Sequence, residues 1–233
     1  MKFRSVFMTL SCAFALAACG GQDGSASVQA GSAAAEVPAG SVKVQTAHGE
    51  AVVPQNPERV AVYDLGAVDT LSKLGVKIGA SVDAQRLAYL DAPLKDAVKA
   101  GTLFEPNYEA LNAYNPQLIV IGSRMAKDKV SDELAKLAPT IDMTAQTDNM
   151  KESAKARIDA YGRIFGKQAE ADALKAEIDK TFADAKAAAQ GKGKGLVILV
   201  NAGKLSAFGP DSRLGGWIHR DIGVPAADEA IKE

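Results

Sequence analysis

The 233-residue chain balances 27 Lys and Arg against 28 Asp and Glu, so its formal charge at pH 7 is −1. This balance, without any basic block, argues against nucleic acid as the main partner, because nucleic-acid-binding proteins cluster their Lys and Arg. Of the two cysteines, Cys12 and Cys19, the first lies in the N-terminal leader described next, so we expect the mature chain to keep only Cys19 and to form no internal disulfide.

The N-terminus carries the pattern of an export signal. Lys2 and Arg4 come first, and an apolar run over residues 6–18 follows. This run is too short for a membrane span and ends in small residues, as a cleaved leader does. We therefore expect residues 1–18, with Cys12, to be removed.

The end of this leader, Leu-Ala-Ala-Cys at 16–19, resembles the lipobox of bacterial lipoproteins. That resemblance implies a lipoprotein signal peptide over 1–18 and lipid attachment, such as palmitate, at Cys19, which would hold the protein on a membrane. A plain secretory leader with an incidental cysteine is the alternative. Residues 19–40 are rich in Gly, Ser and Ala, which predicts a flexible tether.

Strand and helix patterns alternate over residues 41–166, which predicts an N-terminal α/β lobe. Its first half is expected to contain a β-hairpin over 42–46 and 50–53, a buried strand over 59–63, a helix over 65–74 capped by Asp64, a strand over 76–81, and a helix or helical turns between 82 and 102. Its second half is expected to contain a helix over 108–114, an apolar strand over 117–122, a helix over 132–137 capped by Ser131, a strand over 140–142, and an amphipathic helix over 149–165.

This alternation favours a largely parallel, Rossmann-like sheet with helices on both faces. In such sheets the ligand crevice lies beyond the carboxyl ends of the strands. We therefore expect Tyr63, Asp64 and residues 122–124 near the mouth of a crevice.

A long, charged, alanine-rich helix is predicted over residues 167–190. Its apolar residues recur at steps of three and four, and no Pro or Gly interrupts the run until Gly191. At 1.5 Å per residue it would span roughly 35 Å. A helix of that length can connect two lobes.

Residues 191–233 predict only part of a C-terminal α/β lobe. A buried strand over 196–200, a second strand over 204–208 and a helix from about Arg213 to Ile222 are expected. These elements bury too little apolar surface to form a stable domain alone. We therefore expect a C-terminally truncated product whose second lobe is incomplete.

Several short motifs occur together in this chain. They are TAHGE at 46–50, NPERV at 56–60, residues 69–75, LFEP at 103–106, NPQLIV at 115–120, IFG at 164–166 and KLSAFG at 204–209. In this order they resemble the enterochelin and catecholate-siderophore binding lipoproteins of iron ABC importers. The resemblance runs from about Val42 to the last residue, and its most specific segments are IGSR at 121–124 and LSAFGPDSR at 205–213.

The resemblance implies a class III periplasmic binding protein, in which two Rossmann-like lobes joined by one long helix enclose a shallow cleft. It also implies cleft arginines at Arg124 and Arg213, with Arg86 as a weaker match. A ferric tris-catecholate, such as an enterobactin-like complex, is trianionic and already saturates its iron. It therefore needs cations and hydrogen-bond donors, which guanidinium groups supply. No metal ligand, cofactor or catalytic residue of the protein is expected.

The same resemblance implies partners for the chain. The ligand would pass to an ABC permease of the inner membrane, on which Glu109 would dock. A solvated carboxylate at a helix start is the alternative reading of Glu109. We expect a periplasmic monomer, lipid-anchored to a membrane whose identity the sequence leaves open. In this family a third cleft arginine and the His and Tyr that can complete the iron shell would lie beyond Glu233, so binding by this chain is left open.

An enzyme is not expected from the motifs present. The glycine-rich segment 191–195 precedes its strand, unlike a dinucleotide-binding loop, and neither a Walker motif nor a nucleophile elbow occurs. The only histidines, His48 and His219, are far apart in sequence and do not form a metal-binding motif. Two non-enzymatic alternatives stay open: a surface lipoprotein that acts as an interaction module without a small-molecule ligand, and a binder of another iron complex such as haem.

Overall fold

A computed structural model of the chain describes residues 37–82, 87–123, 125–126 and 128–232. The strands are β1 (Ser41–Thr46), β2 (Gly49–Pro54), β3 (Val60–Val62), β4 (Ala80–Ser81), β5 (Val98–Lys99), β6 (Leu118–Ile121), β7 (Thr140–Asp142), β8 (Val197–Asn201) and β9 (Lys204–Phe208). The α-helices are α1 (Leu65–Lys73), α2 (Asp91–Leu94), α3 (Tyr108–Tyr114), α4 (Asp128–Ala135), α5 (Met150–Phe165) and α6 (Gln168–Ala189); a 3-10 turn covers Ala88–Leu90 and a π-helical turn covers Trp217–Asp221.

The centre of the fold is a parallel five-stranded sheet in the order β5-β4-β3-β6-β7. Every residue of β3 and β6 is buried and apolar. Such continuous apolar runs are typical of parallel strands that are covered on both faces. The predicted α/β architecture with a parallel sheet is therefore confirmed.

Successive residues of the central strands enter two separate hydrophobic clusters, one on each face of the sheet. Val62 and Val120 belong to the first cluster, together with apolar residues of α1 and α5. Ala61 and Ile119 belong to the second, together with residues of α3 and α4. This division follows from the two-residue side-chain period of a strand.

Strands β1 and β2 form an antiparallel hairpin outside the main sheet, with Thr46 opposite Gly49. Val44 and Val53 pack into the first cluster. Gly49 has a φ of 99°, a backbone conformation that glycine adopts without steric cost. The predicted hairpin is confirmed.

Two details of the N-terminal prediction are wrong. The helix predicted over 132–137 is α4, Asp128–Ala135, so Ser131 lies inside it rather than at its cap. Val130 and Leu134 both pack into the second cluster, and this packing outweighs the modest helix penalty of a serine. The strand predicted over 76–81 is reduced to β4, and β5, which pairs with it, was not predicted.

The long helix predicted over 167–190 is observed as α6. Of its residues only Ala171 is buried, while Leu174 and Ile178 are half-buried against the first cluster. Helix α5 precedes it and ends at Gly166, whose φ is 62°. A Cβ on Gly162 of α5 would come within 2.7 Å of the Ala171 Cβ. The glycine therefore allows the two helices to approach closely.

After α6 the chain forms an antiparallel hairpin of β8 and β9, with Asn201 opposite Lys204. A parallel bridge joins Gly195 to Ala226, because the Gly195 amide donates to the Pro225 carbonyl at 2.8 Å. This segment therefore brings a third piece of extended chain beside the start of β8.

The burial predicted for the strand over 196–200 is wrong for the described residues. Ile198 is 51% exposed, Val200 68% and Leu205 of β9 74%. The helix predicted from Arg213 to Ile222 is also too long, since within that range the structure has only the short helical turn Trp217–Asp221. The preceding loop is held instead by Ser212, whose hydroxyl donates to the Gly209 carbonyl and accepts from the Gly215 amide.

Across the described ranges, no helix combines the length and the apolar composition needed to cross a bilayer.

Candidate binding cleft

An open recess of about 250 Å³ lies at the carboxyl ends of β3 and β6. The residues that line it are Tyr63, Asp64, Leu65, Gly66, Leu103, Gly122 and Ser123. Tyr63, Asp64, Gly122 and Ser123 are the described residues that the topology predicted for this edge. Because β3 and β6 are adjacent and parallel, the residues that follow them meet at one place.

Tyr63 anchors the inner wall of the recess. Its hydroxyl donates to the Ala100 carbonyl at 2.7 Å, and its backbone amide donates to Val120 of β6 at 2.8 Å. Burial is the main cause that raises the pKa of this phenol, with a smaller contribution from Tyr108. Tyr63 therefore serves as a neutral, fixed wall rather than as a titrating group.

Asp64 occupies the N-cap position of α1. Its Oδ1 accepts from the Ala67 amide at 2.6 Å and also lies 3.2 Å from the Arg157 Nη2 of α5. The side chains of Asp64 and Arg157 are 23% and 18% exposed, respectively. The carboxylate at this edge is thus paired with a largely buried guanidinium.

Gly122 allows the Asp64 carboxylate to sit where it does. A Cβ on Gly122 would overlap Asp64 Oδ2. The glycine has no positive φ, so the close approach, rather than the backbone conformation, requires it.

A second carboxylate, Asp142, is the last residue of the neighbouring strand β7. Its Oδ2 lies 2.9 Å from His48 Nε2, and its Oδ1 accepts from the Thr144 amide at 2.8 Å and from the Thr144 hydroxyl. The Ala47 amide donates to the Asp142 carbonyl at 2.9 Å. These contacts attach the turn of the β1–β2 hairpin to the end of β7.

Two lysines line a second recess, at the carboxyl ends of β4 and β5. Lys95 and Lys99 line a recess of about 230 Å³ together with Ser81, Val82 and Asp91. Ser81 ends β4 and Lys99 ends β5. Both lysines are exposed, so their ammonium groups can reach an anionic ligand at this edge.

The residues predicted for the site are only partly described. Arg124, Arg86 and Cys19 lie outside the described residues. Arg213 is exposed in the loop that follows β9 and does not line the recess of Tyr63 and Asp64. Glu109 is exposed in the first turn of α3, which Asn107 caps through its side-chain oxygen.

Arg157 was missed by the sequence reasoning, although a signal for it exists. It lies on α5 three residues after Ala154 and four before Tyr161, two apolar residues at helical spacing in the amphipathic helix predicted over 149–165. A charged residue at helical spacing within an apolar face needs a partner, because an unpaired buried charge is strongly unfavourable. Asp64 is that partner.

The histidines have structural contacts in this fold. His219 is buried and its Nδ1 lies 2.8 Å from the Val224 carbonyl. Within the described ranges no three His, Cys, Asp or Glu side chains come together as a metal-ion site would require.

Comparison with known proteins gives close relatives. The petrobactin-binding protein YclQ of Bacillus subtilis is 38% identical over 235 residues, which cover 99% of this chain and 72% of YclQ. The ferric-anguibactin-binding protein FatB of Vibrio anguillarum is 33% identical over 190 residues, which cover 78% of this chain and 58% of FatB. The chain thus spans between about three fifths and three quarters of the length of these relatives.

Solved structures resemble the fold closely. The crystal structure of YclQ matches with a TM-score of 0.76 and 35% identity, covering 82% of this chain and 68% of that one. The periplasmic catecholate-siderophore binding protein VctP of Vibrio cholerae matches with a TM-score of 0.73 and 29% identity, covering 83% of this chain and 70% of that one. The model of the periplasmic binding protein family matches residues 60–233, and the chain belongs to that family.

Proposed function

We propose that this protein is the substrate-binding component of an iron ABC importer and captures a ferric siderophore of the catecholate class. The similarity to a petrobactin-binding protein over nearly the whole chain carries this proposal. As a member of a family of periplasmic binding proteins, the chain is a binding component rather than an enzyme.

The chemistry of the sheet edge supports an anionic ligand. Asp64 is paired with the Arg157 guanidinium, and Asp142 lies at hydrogen-bond distance from His48. Lys95 and Lys99 add two exposed ammonium groups at the same edge, against one carboxylate, Asp91, in their recess. A ferric tris-catecholate carries three negative charges and a saturated metal, so it is held by such donors rather than by metal ligands.

Arginines are the second part of the proposal. Arg124 directly follows Ser123 of the recess, and Arg213 ends the specific segment over 205–213. Guanidinium groups present fixed, permanently charged donors to catecholate oxygens. We assign Arg124 and Arg213 to ligand binding, with Arg86 as a third candidate.

Further proposals concern the partners and the arrangement of the chain. Glu109, exposed on α3, is assigned to docking on the permease. Cys19 is assigned to the lipid anchor. The rest of the chain is assigned to an N-terminal lobe over 41–166, a connecting helix over 167–190 and part of a C-terminal lobe over 191–233. Metabolic labelling with palmitate, compared between the wild type and Cys19→Ser, tests the anchor.

Fluorescence titration tests ligand capture directly. Trp217 is the only tryptophan, is 39% exposed, and lies four residues after Arg213. Quenching by a ferric tris-catecholate, weakened in the double variant Arg124→Ala and Arg213→Ala, is the expected result. Arg163→Ala is the matched control, because Arg163 is an exposed arginine whose ion-pair partner is Asp159 on its own helix.

Three outcomes would decide against the proposal. Absence of both quenching and thermal protection would exclude a ferric catecholate ligand, since a ligand at 100 times Kd should stabilise by about 2.7 kcal/mol. Tighter binding of haem or of a ferric citrate complex would replace the catecholate class by another iron complex. Binding of a protein partner without any small molecule would favour an interaction module.

A further inference from the structure

Arg157 is an unusual residue for the buried face of α5. Its side chain is only 18% exposed, and it lies beside Ile158 and one turn from Tyr161, which are both in the first hydrophobic cluster. Taking a guanidinium out of water is costly unless a partner compensates it. The position therefore calls for a role that an apolar residue could not perform.

The partner, Asp64, connects Arg157 to the recess. One carboxylate oxygen of Asp64 is 3.2 Å from Arg157, and the other lies against Gly122 at the recess wall. The cap of α1 does not need this charge, because asparagine caps a helix as well as aspartate does. The ion pair is therefore not needed to start α1, and it places the Asp64 carboxylate and the neutralising Arg157 guanidinium next to the recess.

This geometry has an electrostatic consequence for an anionic ligand. With Arg157 in place, the carboxylate and the guanidinium together carry no net charge. Without it, Asp64 would present an uncompensated negative charge to any ligand in the recess. For a trianion at about 8 Å in water, Coulomb repulsion of this kind lowers affinity roughly tenfold.

We propose that Arg157 is a positioning and specificity residue that cancels the charge of Asp64 behind the recess, and so allows an anionic ferric complex to bind. Arg157 acts through Asp64 and does not touch the ligand. This inference rests on the proposed function, because it requires an anionic ligand in the recess.

A double-mutant cycle tests the inference. Arg157→Met removes the charge and retains the apolar stem, and Asp64→Asn removes the opposing charge and keeps the cap acceptor. In a titration with a ferric tris-catecholate at low ionic strength, Arg157→Met is expected to bind roughly tenfold more weakly. The double variant is expected to return to within about twofold of the wild type, because no uncompensated charge is left.

Three further measurements separate charge from structure. The loss in Arg157→Met should shrink at high salt, which screens charges, and it should be small for a neutral ferric tris-hydroxamate. Arg157→Lys, which keeps the charge, should retain most of the affinity. Thermal unfolding of each ligand-free variant establishes that it is folded at the titration temperature.

The outcomes distinguish this inference from the proposed function. If the wild type binds no ferric complex, the proposed function is overturned and this inference with it. If the wild type binds and Arg157→Met binds equally well, or its loss is not restored by Asp64→Asn, the inference alone is overturned. A loss of equal size for the neutral complex would also overturn it, since that result indicates a structural role.

Discussion

Replacing Gly122 by alanine tests the close approach between the end of β6 and the cap of α1. A Cβ at this position would overlap Asp64 Oδ2. The carboxylate would have to move, and with it the 2.6 Å bond to the Ala67 amide and the 3.2 Å pair with Arg157. Because Gly122 has no positive φ, the substitution changes space without straining the backbone.

The expected loss of stability can be estimated from these two contacts. Losing a side-chain cap costs about 1 kcal/mol. The ion pair lies between an exposed pair, worth about 0 to 1 kcal/mol, and a buried pair, whose disruption costs about 3 to 5 kcal/mol. We expect Gly122→Ala to lower the free energy of unfolding by about 2 to 3 kcal/mol, which corresponds to a Tm decrease of roughly 5 to 10 °C for a chain of this size.

Urea and thermal unfolding, followed by circular dichroism, measure this effect. The control is the same substitution in an Asp64→Gly background, which removes every Asp64 side-chain atom near the new methyl group and keeps a residue type that is accepted at the N-cap. There Gly122→Ala should cost less than about 1 kcal/mol. Equal destabilisation in both backgrounds, or a cost below about 0.5 kcal/mol in the wild-type background, would refute the proposed overlap, because such small changes are usual for unconstrained sites.

Two further predictions concern pH. Burial raises the pKa of Tyr161 above its ordinary 10.0, so the unfolded state loses this proton first and stability falls as the pH rises through 10. In urea unfolding, Tyr161→Phe should therefore lose less stability than the wild type between pH 9 and pH 11. A difference in stability between the two proteins that stays constant across that range would contradict this cause. Lys151 and Lys155 lower the pKa of Asp179 below its ordinary 3.8, so its pairing stabilises the α5–α6 contact above about pH 4 and is lost on further acidification. Asp179→Asn should therefore be less stable than the wild type at pH 7, with the difference disappearing toward pH 2, whereas a difference that persists there would indicate a packing defect.

Elements with strong local signals could be predicted from the sequence. The bounds of α3, β7 and β9 agree with the predicted ranges to the residue. Each is delimited by nearby turn or capping residues, such as Asn107 before α3 and Pro139 before β7. In these places the local preference and the tertiary packing favour the same structure.

Elements that depend on distant pairing could not be predicted in the same way. Strand β5 has two exposed residues, Val98 and Lys99, and is a strand only because it pairs with β4. No periodicity can develop over two residues. Likewise the start of α4 depends on how Val130 and Leu134 pack, and the capping preference of Ser131 does not reveal that packing.

The candidate site also has one part that the sequence could predict and one part that depends on a distant contact. That Asp64 and Gly122 meet at one edge follows from the parallel order of β3 and β6, because each residue lies directly after its strand or at the first turn beyond it. Topology, which periodicity can indicate, therefore locates the recess. The contact between Asp64 and Arg157 joins residues 93 positions apart, and no local pattern specifies it.

The charge of the recess thus depends on a residue that lies outside it. Local sequence patterns place Arg157 in α5 and Asp64 at the cap of α1, and neither placement requires the other residue. In our proposal, their contact cancels the charge of the Asp64 carboxylate, which would otherwise repel an anionic ligand. A change of ligand charge in a related protein should therefore be accompanied by a change at either member of this pair, even where the residues that line the recess stay the same.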